Sequence, residues 1–240
     1  MPSVDARFDE RLAVATETYL DQLDACVARL PRLVDAFEDG DGYRETATTI
    51  GDLESGCDRT HRRVSALVGD ADVQDLGIRL SRVHLHAGQT IELYHALDAV
   101  ANAAEQFADD LVAIGPPRAP ELLALLGEMA ACAADAMAAL ETAVTGFLTV
   151  LCEPNESVSV ADAVEDVRAA ESDCDRLRSR VVTRAFGDGE TDQPLVYRAL
   201  ADRLDAVVDA MEDVTDRMIR LAGTELSFDV EPEPEAANGA

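Results

Sequence analysis

The chain has 240 residues and a formal net charge of −28, with 48 acidic residues against 20 basic residues that are all arginine. Such acidity argues against a protein that binds nucleic acid or an anionic membrane surface. Hydrophobic residues make up 48% of the chain, but only 4% are aromatic and tryptophan is absent. A core of small aliphatic side chains favours closely packed helices over a sheet rich in aromatic residues.

The same charge predicts the solvent in which the protein folds. Like charges strain a compact chain by mutual repulsion, and this repulsion is screened when the Debye length falls to roughly 3 Å near 1 M salt. We therefore predict that the source is an extreme halophile. On this interpretation most acidic residues are solvated surface, so a carboxylate counts as a candidate ligand only where its spacing and context support that role.

Cysteine usage and hydropathy narrow the class of protein further. No Cys-x-x-Cys pair occurs, so neither a zinc ribbon nor a redox motif is supported by the five scattered cysteines, which are Cys26, Cys57, Cys132, Cys152 and Cys174. No signal peptide opens the chain, and no uninterrupted apolar run of roughly 18 residues occurs. We expect a cytoplasmic protein without direct membrane insertion.

Apolar residues recur at helical spacing along most of the chain. The pattern predicts six helices, over residues 5–38, 43–68, 89–114, 120–151, 160–186 and 194–222. Pro31 is expected to kink the first of them. The interval 69–88 has a mixed pattern, for which we expect a short helix or irregular structure. Residues 225–240 are acidic and end in small residues, which predicts a disordered tail.

The break at Gly115-Pro-Pro117 divides the predicted helices into three and three. The same order of acidic motifs occurs in both halves, and an internal duplication explains that order better than chance. The sequence therefore predicts an all-α protein of two antiparallel three-helix bundles related by internal duplication. The bundles are expected at residues 5–115 and 118–223, followed by the acidic tail.

The repeated motif is a set of carboxylates on one face of each of two helices. The first half carries Glu54 and Asp58 on the second predicted helix, followed by Asp98, Asn102 and Glu105 on the third. The second half repeats the order on the fifth and sixth helices with Glu171, Asp175, Asp205, Asp209 and Glu212. Residues three and four apart are neighbours on a helix, where like charges destabilise it by roughly 0.2–0.5 kcal/mol per pair.

These carboxylates border the apolar stripes of their helices, so we expect them to converge between antiparallel neighbours. Partly buried like charges are costly unless they are neutralised. Oxygen-rich ligand sets suit cations such as Mg²⁺, Mn²⁺ or Ca²⁺ and can also hold iron. We therefore predict that all ten residues are metal ligands for a divalent or iron-type ion. Asn102 makes the first set less anionic and weaker as a site.

Two other patterns in the sequence suggest different chemistry. Asp58-Arg-Thr-His61 and Glu92-Leu-Tyr-His95 have the spacing of di-iron bundles, but the second half contains no histidine, which argues against a di-iron oxidase. The arginines beside Asp58 and Asp175 could attract phosphate to a bound cation. We expect instead that they pair with neighbouring acids on the helix surface.

The order Glu-x-x-x-Asp followed by Asp-x-x-x-Asp, present in both halves but for Asn102, resembles the PhoU proteins. It is closest to the PhoU-like relatives described as phosphate transport regulators. The segments 91–102, Ile-Glu-Leu-Tyr-His-Ala-Leu-Asp-Ala-Val-Ala-Asn, and 194–205, Pro-Leu-Val-Tyr-Arg-Ala-Leu-Ala-Asp-Arg-Leu-Asp, are similar in character to that group's third and sixth helices. The resemblance covers about residues 5–222.

This resemblance implies an all-helical protein whose carboxylate motifs hold metal ions, often in clusters. It implies a non-catalytic protein that acts together with a phosphate transporter or its signalling components. Such a protein would lie at the periphery of the membrane. Self-association stays open. By position, the ligands carried over from the family are Glu54, Asp58, Asp98, Glu171, Asp175, Asp205 and Asp209. Asn102 departs from the family's pattern.

Two further functions stay open at this point. One is a metal-free helical adaptor. The other is an all-helical, Mg²⁺-dependent nucleotide pyrophosphohydrolase, although those enzymes typically carry Glu-x-x-Glu and Glu-x-x-Asp, one residue shorter than the spacing here. No Gly-x-Ser-x-Gly, P-loop or Gly-x-Gly-x-x-Gly motif occurs, and the absence of lysine excludes lysine-based catalysis.

Overall fold

The computed structural model describes residues 8–69, 87–152, 158–187, 189 and 191–225. These ranges contain no strand, which confirms the all-helical prediction. They form α1 (Phe8–Val27), α2 (Leu30–Asp39), α3 (Tyr43–Gly69), α4 (Ala87–Ile114), α5 (Pro120–Cys152), α6 (Ala161–Gly187) and α7 (Pro194–Glu225). The expectations for 70–86 and for the tail beyond 225 lie outside the described residues.

The first predicted helix is divided in two, so the prediction of one kinked helix over 5–38 is wrong. Pro31 lies in the first turn of α2, where the N–H that it lacks would have no partner in any case. At the junction the N–H of Arg29 bonds the carbonyl of Cys26 at 3.3 Å, which tightens the end of α1. Proline inside a continuous helix would lose a hydrogen bond and clash with the preceding turn, and ending the helix avoids both costs.

The C-terminus of α2 is closed by Gly40 in the left-handed conformation, with φ of 81°. Its N–H bonds the carbonyls of Ala36 and Phe37, and the guanidinium of Arg118 donates to the same Phe37 carbonyl at 3.1 Å. A β-carbon at Gly40 would lie 2.7 Å from Arg118 Nη2. The glycine therefore allows both the backbone turn and the close approach of the arginine.

Gly40→Ala is expected to lower the free energy of unfolding by about 1–2 kcal/mol, because a side chain is unfavourable at this positive φ. The added methyl group also displaces Arg118 from the α2 carbonyl. Denaturant unfolding measures the change. Gly42→Ala is the matched control, since Gly42 has φ of 73° but nothing within 4 Å of its β-carbon position. Equal losses in the two variants would show that the contact with Arg118 adds nothing.

The helices of each half pack on one another, and the two halves meet where α4 packs on α7 and where α5 packs on α1 and α2. In the first half α3 packs between α1 and α4, and in the second half α5, α6 and α7 pack pairwise. Arg203 bonds Asp110 at 2.7 Å, and Arg217 bonds Glu92 at 3.3 Å. Because the later α7 residue contacts the earlier α4 residue, α4 and α7 run antiparallel.

One continuous hydrophobic core extends through both halves. Every described helix contributes fully or almost fully buried side chains to it, including Leu12, Leu33, Ile50, Leu97, Leu126, Val167 and Leu204. The connection between the halves is also fixed to this core: Tyr197 donates its hydroxyl proton to the carbonyl of Pro117 and accepts from the N–H of Ala119 at 3.2 Å. The two halves therefore share their interior.

Helix α5 is the most apolar element of the described chain. Pro120–Val150 is long and apolar enough to cross a membrane. An 18-residue window within it has a mean hydropathy of 1.6, and half of that window is buried inside the protein. The helix contacts α1, α2, α6 and α7. A helix that is hydrophobic on most sides is expected at the centre of a bundle, so this one does not by itself indicate membrane insertion.

Candidate metal centre

The predicted ligands lie at the edges of the apolar helix faces. The apolar stripe of α7 is fully or almost fully buried, and it consists of Leu204, Val208, Met211, Val214 and Met218. Beside such stripes the half-buried candidates are Glu54, Asp58, Asp98, Asn102, Glu105, Glu171, Asp205 and Glu212. The two exposed candidates are Asp175 and Asp209. We call the candidates of α3 and α4 the first cluster and those of α6 and α7 the second cluster.

In the first cluster, Asp58 and Asp98 meet His61. One ring nitrogen of His61 and one carboxylate oxygen from each aspartate lie within 4.8 Å of one another. All three residues line an open cleft of about 570 Å³, together with His95, whose ring centroid is 4.7 Å from that of His61. His61 is only 9% exposed, and its Nε2 has no hydrogen-bond partner among the residues that the structure describes.

Asp98 is held in place from two sides. The hydroxyl of Tyr19 on α1 donates to Asp98 Oδ1 at 3.4 Å, and His61 Nδ1 lies 3.7 Å from Asp98 Oδ2. The amide of Asn102 donates to the Asp98 carbonyl at 2.8 Å and to Oδ2 at 3.3 Å. Asn102 therefore supports a carboxylate through its nitrogen, a different contribution from that of a ligand oxygen.

Glu54 and Glu105 form the other end of the first cluster. Burial raises the pKa of both carboxyl groups, and the charge of Glu105 raises that of Glu54 further. A β-carbon at Gly51 would lie 3.2 Å from Glu105 Oε1, so the glycine lets this carboxylate approach α3 closely. Within the described residues, no arginine pairs with Glu54, Asp98 or Glu105. Partly buried negative charge at this end is therefore not balanced by a basic side chain.

In the second cluster, the positive charge comes from a side chain, the guanidinium of Arg178. Arg178 Nε lies 2.6 Å from Asp202 Oδ1 and 3.4 Å from Asp205 Oδ2, and Nη1 lies 3.6 Å from Asp175 Oδ1. A second arginine, Arg168, pairs with Asp216 at 3.2 Å. The guanidinium of Arg178 thus gathers three carboxylates from two helices, and these contacts raise its own pKa.

The carboxylates around Arg178 still repel one another. Burial and then the charge of Asp209 raise the pKa of Asp205 to about 6, although Arg178 acts in the opposite direction. Burial followed by Glu171 raises the pKa of Asp209, and the same two causes in that order raise that of Glu212. Asp209 is thus electrostatically coupled to Glu171 despite its exposure to solvent.

Asp205→Asn is expected to stabilise the metal-free protein at pH 8. Removing the charge contributes about 2 kcal/mol, and the cost of the weakened contact with Arg178 is subtracted from that gain. The folded protein binds the Asp205 proton with a pKa of about 6, above the ordinary value of 3.8. The wild type therefore gains stability from this group as the pH falls from about 7 to about 4, and the variant lacks that gain. Urea unfolding in chelator at pH 8 and pH 5 measures it. A variant that is less stable than the wild type by the same amount at both pH values would contradict the expectation.

Both clusters lie against a buried cysteine. Burial raises the pKa of Cys57, next to the first cluster, to about 12, and it raises that of Cys174, next to the second, still further. Cys26 and Cys132 are also free thiols. These groups are neutral at ordinary pH, and a neutral buried thiol behaves as a small apolar side chain.

Sequence reasoning did not include His61 and Arg178 among the site residues. The signal was present, because the offset of 117 residues that relates Glu54 to Glu171 also relates His61 to Arg178. The offset of 107 that relates Asp98 to Asp205 likewise relates His95 to Asp202. The expectation that arginines pair with neighbouring acids holds for Arg62 with Asp58.

The two clusters differ in how well their residues fit a metal ion. In the first, two carboxylates and a buried imidazole converge, which is a donor set for a divalent cation. In the second, a guanidinium is already seated among Asp175, Asp202 and Asp205. The remaining carboxylates, Glu171, Asp209 and Glu212, offer oxygen donors alone.

No known family model and no curated protein sequence matched the chain. Solved structures did match. A protein of Shewanella oneidensis MR-1 described as a PhoU-like phosphate regulatory protein has a TM-score of 0.73 at 16% identity, covering 89% of this chain and all of its own. A second PhoU-like protein of that organism gives 0.67 at 14% identity, with 88% and 95% covered.

PhoU of Pseudomonas aeruginosa gives a TM-score of 0.56 at 13% identity, covering 88% of this chain and 99% of its own. The likeness therefore extends over almost the full length of each relative. The structural neighbours are PhoU-like phosphate regulatory proteins, which confirms the resemblance noted from the carboxylate motifs. At these identities the likeness establishes the fold.

Proposed function

We propose that the chain is a non-enzymatic, cation-binding regulator or accessory protein of phosphate uptake. The observation that carries the proposal is the likeness to PhoU-like phosphate regulatory proteins over nearly the whole chain. The convergence of acidic side chains from neighbouring helices supports the cation-binding part. Its partners would be a phosphate transporter or its signalling components, and not nucleic acid, because the chain carries a net charge of −28.

The residues that would hold the cation are those of the two clusters. In the first, Asp58 and Asp98 would be central, with Glu54 and Glu105 nearby, and Tyr19 would orient Asp98. In the second, Glu171, Asp209 and Glu212 keep carboxylate oxygens that Arg178 does not contact. A bound cation would neutralise carboxylates whose charges now repel one another across the helix boundary.

We also propose that the two halves, 5–115 and 118–223, arose by duplication. The order of carboxylates is the same in both halves except at Asn102, and α4 corresponds to α7 in that order. These two helices run antiparallel and are bridged at both ends by arginine pairs, Arg203 with Asp110 and Arg217 with Glu92. Such a pairing is expected when two copies of one unit pack about a two-fold axis through their last helices.

Calorimetry at high salt with Mn²⁺, Zn²⁺ and Fe²⁺ tests the cation-binding part on the full chain. We expect saturable binding in the wild type and loss of at least one site in the double variant Asp58→Asn with Asp98→Asn. No binding of any of these metals would favour a metal-free helical adaptor. Circular dichroism on each variant separates lost binding from lost folding.

Phosphate uptake and nucleotide turnover test the rest of the proposal. Deleting the gene in its source is expected to change uptake of labelled phosphate, and restoring the wild-type gene is expected to reverse the change. Unchanged uptake would argue against the regulatory role. Purified protein with Mg²⁺ and a nucleoside triphosphate is expected to release no pyrophosphate, whereas sustained release would favour the pyrophosphohydrolase.

A further inference from the structure

The first and second clusters are chemically unequal at one matched position. His61 and Arg178 occupy the same place in the two halves, one turn after Asp58 and Asp175 respectively. The counterpart of Asp98 in the second half is Asp205. The contacts in both halves are similar: His61 faces Asp58 and Asp98, and Arg178 faces Asp175 and Asp205.

Arg178 gives the second cluster a permanent positive charge. Its guanidinium lies between carboxylates of α6 and α7, with one oxygen of Asp202 at hydrogen-bonding distance. Guanidinium groups remain protonated in proteins and bind carboxylates through several donors at once. The Arg178 guanidinium therefore already occupies the position that a cation between Asp175 and Asp205 would take.

His61 supplies a donor atom to the corresponding place. Its ring is nine-tenths buried, and its Nδ1 lies 3.7 Å from Asp98 Oδ2, too far for a hydrogen bond. Its Nε2 is shielded from water and has no hydrogen-bond partner among the described residues. A cation with affinity for imidazole, held between Asp58 and Asp98, would bond the ring nitrogen that faces them and neutralise both carboxylates.

We propose that the Asp58–His61–Asp98 group is a mixed nitrogen and oxygen site for a borderline transition-metal dication such as Zn²⁺, and that Arg178 is the built-in cation which replaces such an ion in the second half. This inference rests on the proposed function, because it specifies the ion at one of its two clusters. Imidazole with carboxylates suits Zn²⁺ and its neighbours, whereas Mg²⁺ favours oxygen ligands and retains water.

Metal titration of the full chain at high salt, first with Zn²⁺ alone and then with Mg²⁺ alone, tests the nitrogen ligand. We expect His61→Gln to weaken one Zn²⁺ site at least 10-fold, as loss of a metal-supporting group commonly does. Mg²⁺ affinity should not change. His95→Gln is the matched comparison: it removes the ring packed on His61 but no member of the three-residue group, so it should weaken the Zn²⁺ site less than His61→Gln does, and an equal loss would contradict the assignment of His61 as the ligand.

Two more variants test the assignment of Arg178. His61→Arg copies the second half into the first and is expected to abolish the Zn²⁺ site while the helical content is retained. Asp205→Asn should leave that Zn²⁺ site intact, whereas Asp98→Asn should remove it. Equal losses of Zn²⁺ in Asp205→Asn and Asp98→Asn would overturn the inequality between the clusters.

The outcomes distinguish failure of this inference from failure of the proposed function. If Asp98→Asn removes the Zn²⁺ site but His61→Gln does not change it, the site is an oxygen-only one. The assignment of His61 as a nitrogen ligand is then wrong, while the proposal of cation binding stands. The visible spectrum of bound Co²⁺ is an independent readout, because a change on His61→Gln reports the ligand itself. If the wild type binds no metal, both this inference and the cation-binding part of the proposed function fail.

Discussion

Tyr94→Ala is expected to lower the free energy of unfolding by about 3–5 kcal/mol, the usual cost of removing a buried aromatic ring. Tyr94 is fully buried on α4 and packs edge to face against Tyr19 of α1, with ring centroids 6.0 Å apart. Its loss leaves a cavity between two helices of the first half. Denaturant unfolding at high salt measures the change.

Tyr94→Phe is the matched variant that removes the hydroxyl alone. Thr16 donates its own hydroxyl proton to the carbonyl of Leu12 at 2.8 Å, so the hydroxyl of Tyr94 is the donor in its bond to Thr16. Thr16 keeps its donor bond when Tyr94 becomes phenylalanine, and the expected loss is about 1 kcal/mol. A phenylalanine variant as unstable as the alanine variant would show that the hydroxyl, and not the ring volume, dominates.

The second large effect concerns salt. Raising KCl from about 0.1 M to about 1 M is expected to stabilise the metal-free protein by about 3 kcal/mol, which is about 10 °C in the unfolding midpoint for a chain of this length. The reason is the net charge of −28, whose self-repulsion acts against the compact state until it is screened. Thermal unfolding in chelator across the salt series measures the shift.

A charge-reduced variant serves as the control for the salt series. Neutralising four exposed acids by amide substitution removes repulsion without touching the core or either cluster, and suitable positions are Glu17, Asp21, Glu165 and Asp166. The salt dependence of this variant should be shallower than that of the wild type. A midpoint that is independent of salt in the wild type would contradict the halophilic interpretation.

Helix faces could be predicted from the sequence because burial follows helical spacing. Leu204, Val208 and Met211 follow one another at helical spacing, and all three are fully buried. The predicted helix ends lie close to the observed ones for a related reason, since Pro120 and Pro194 begin helices and Gly40 ends one. Local chemistry at these positions determines the local structure.

Contacts between helices could not be predicted in the same way. Arg178 pairs with Asp175, three residues away, as expected, but its shortest contact is with Asp202, which belongs to another helix. Such a contact depends on the rotation and register of α6 against α7, which core packing sets. For the same reason His61 was not recognised as a partner of Asp98, which lies on α4.

The shared interior of the two halves also limits how this architecture can change. Severing the backbone between α4 and α5 would leave two fragments, each with a long apolar stripe that the other normally shields from water. We therefore do not expect either fragment to fold as a separate module. If the two halves arose by duplication, as proposed, each copy would now depend on the other to cover its core. Both copies would then be retained while His61 and Arg178 diverged.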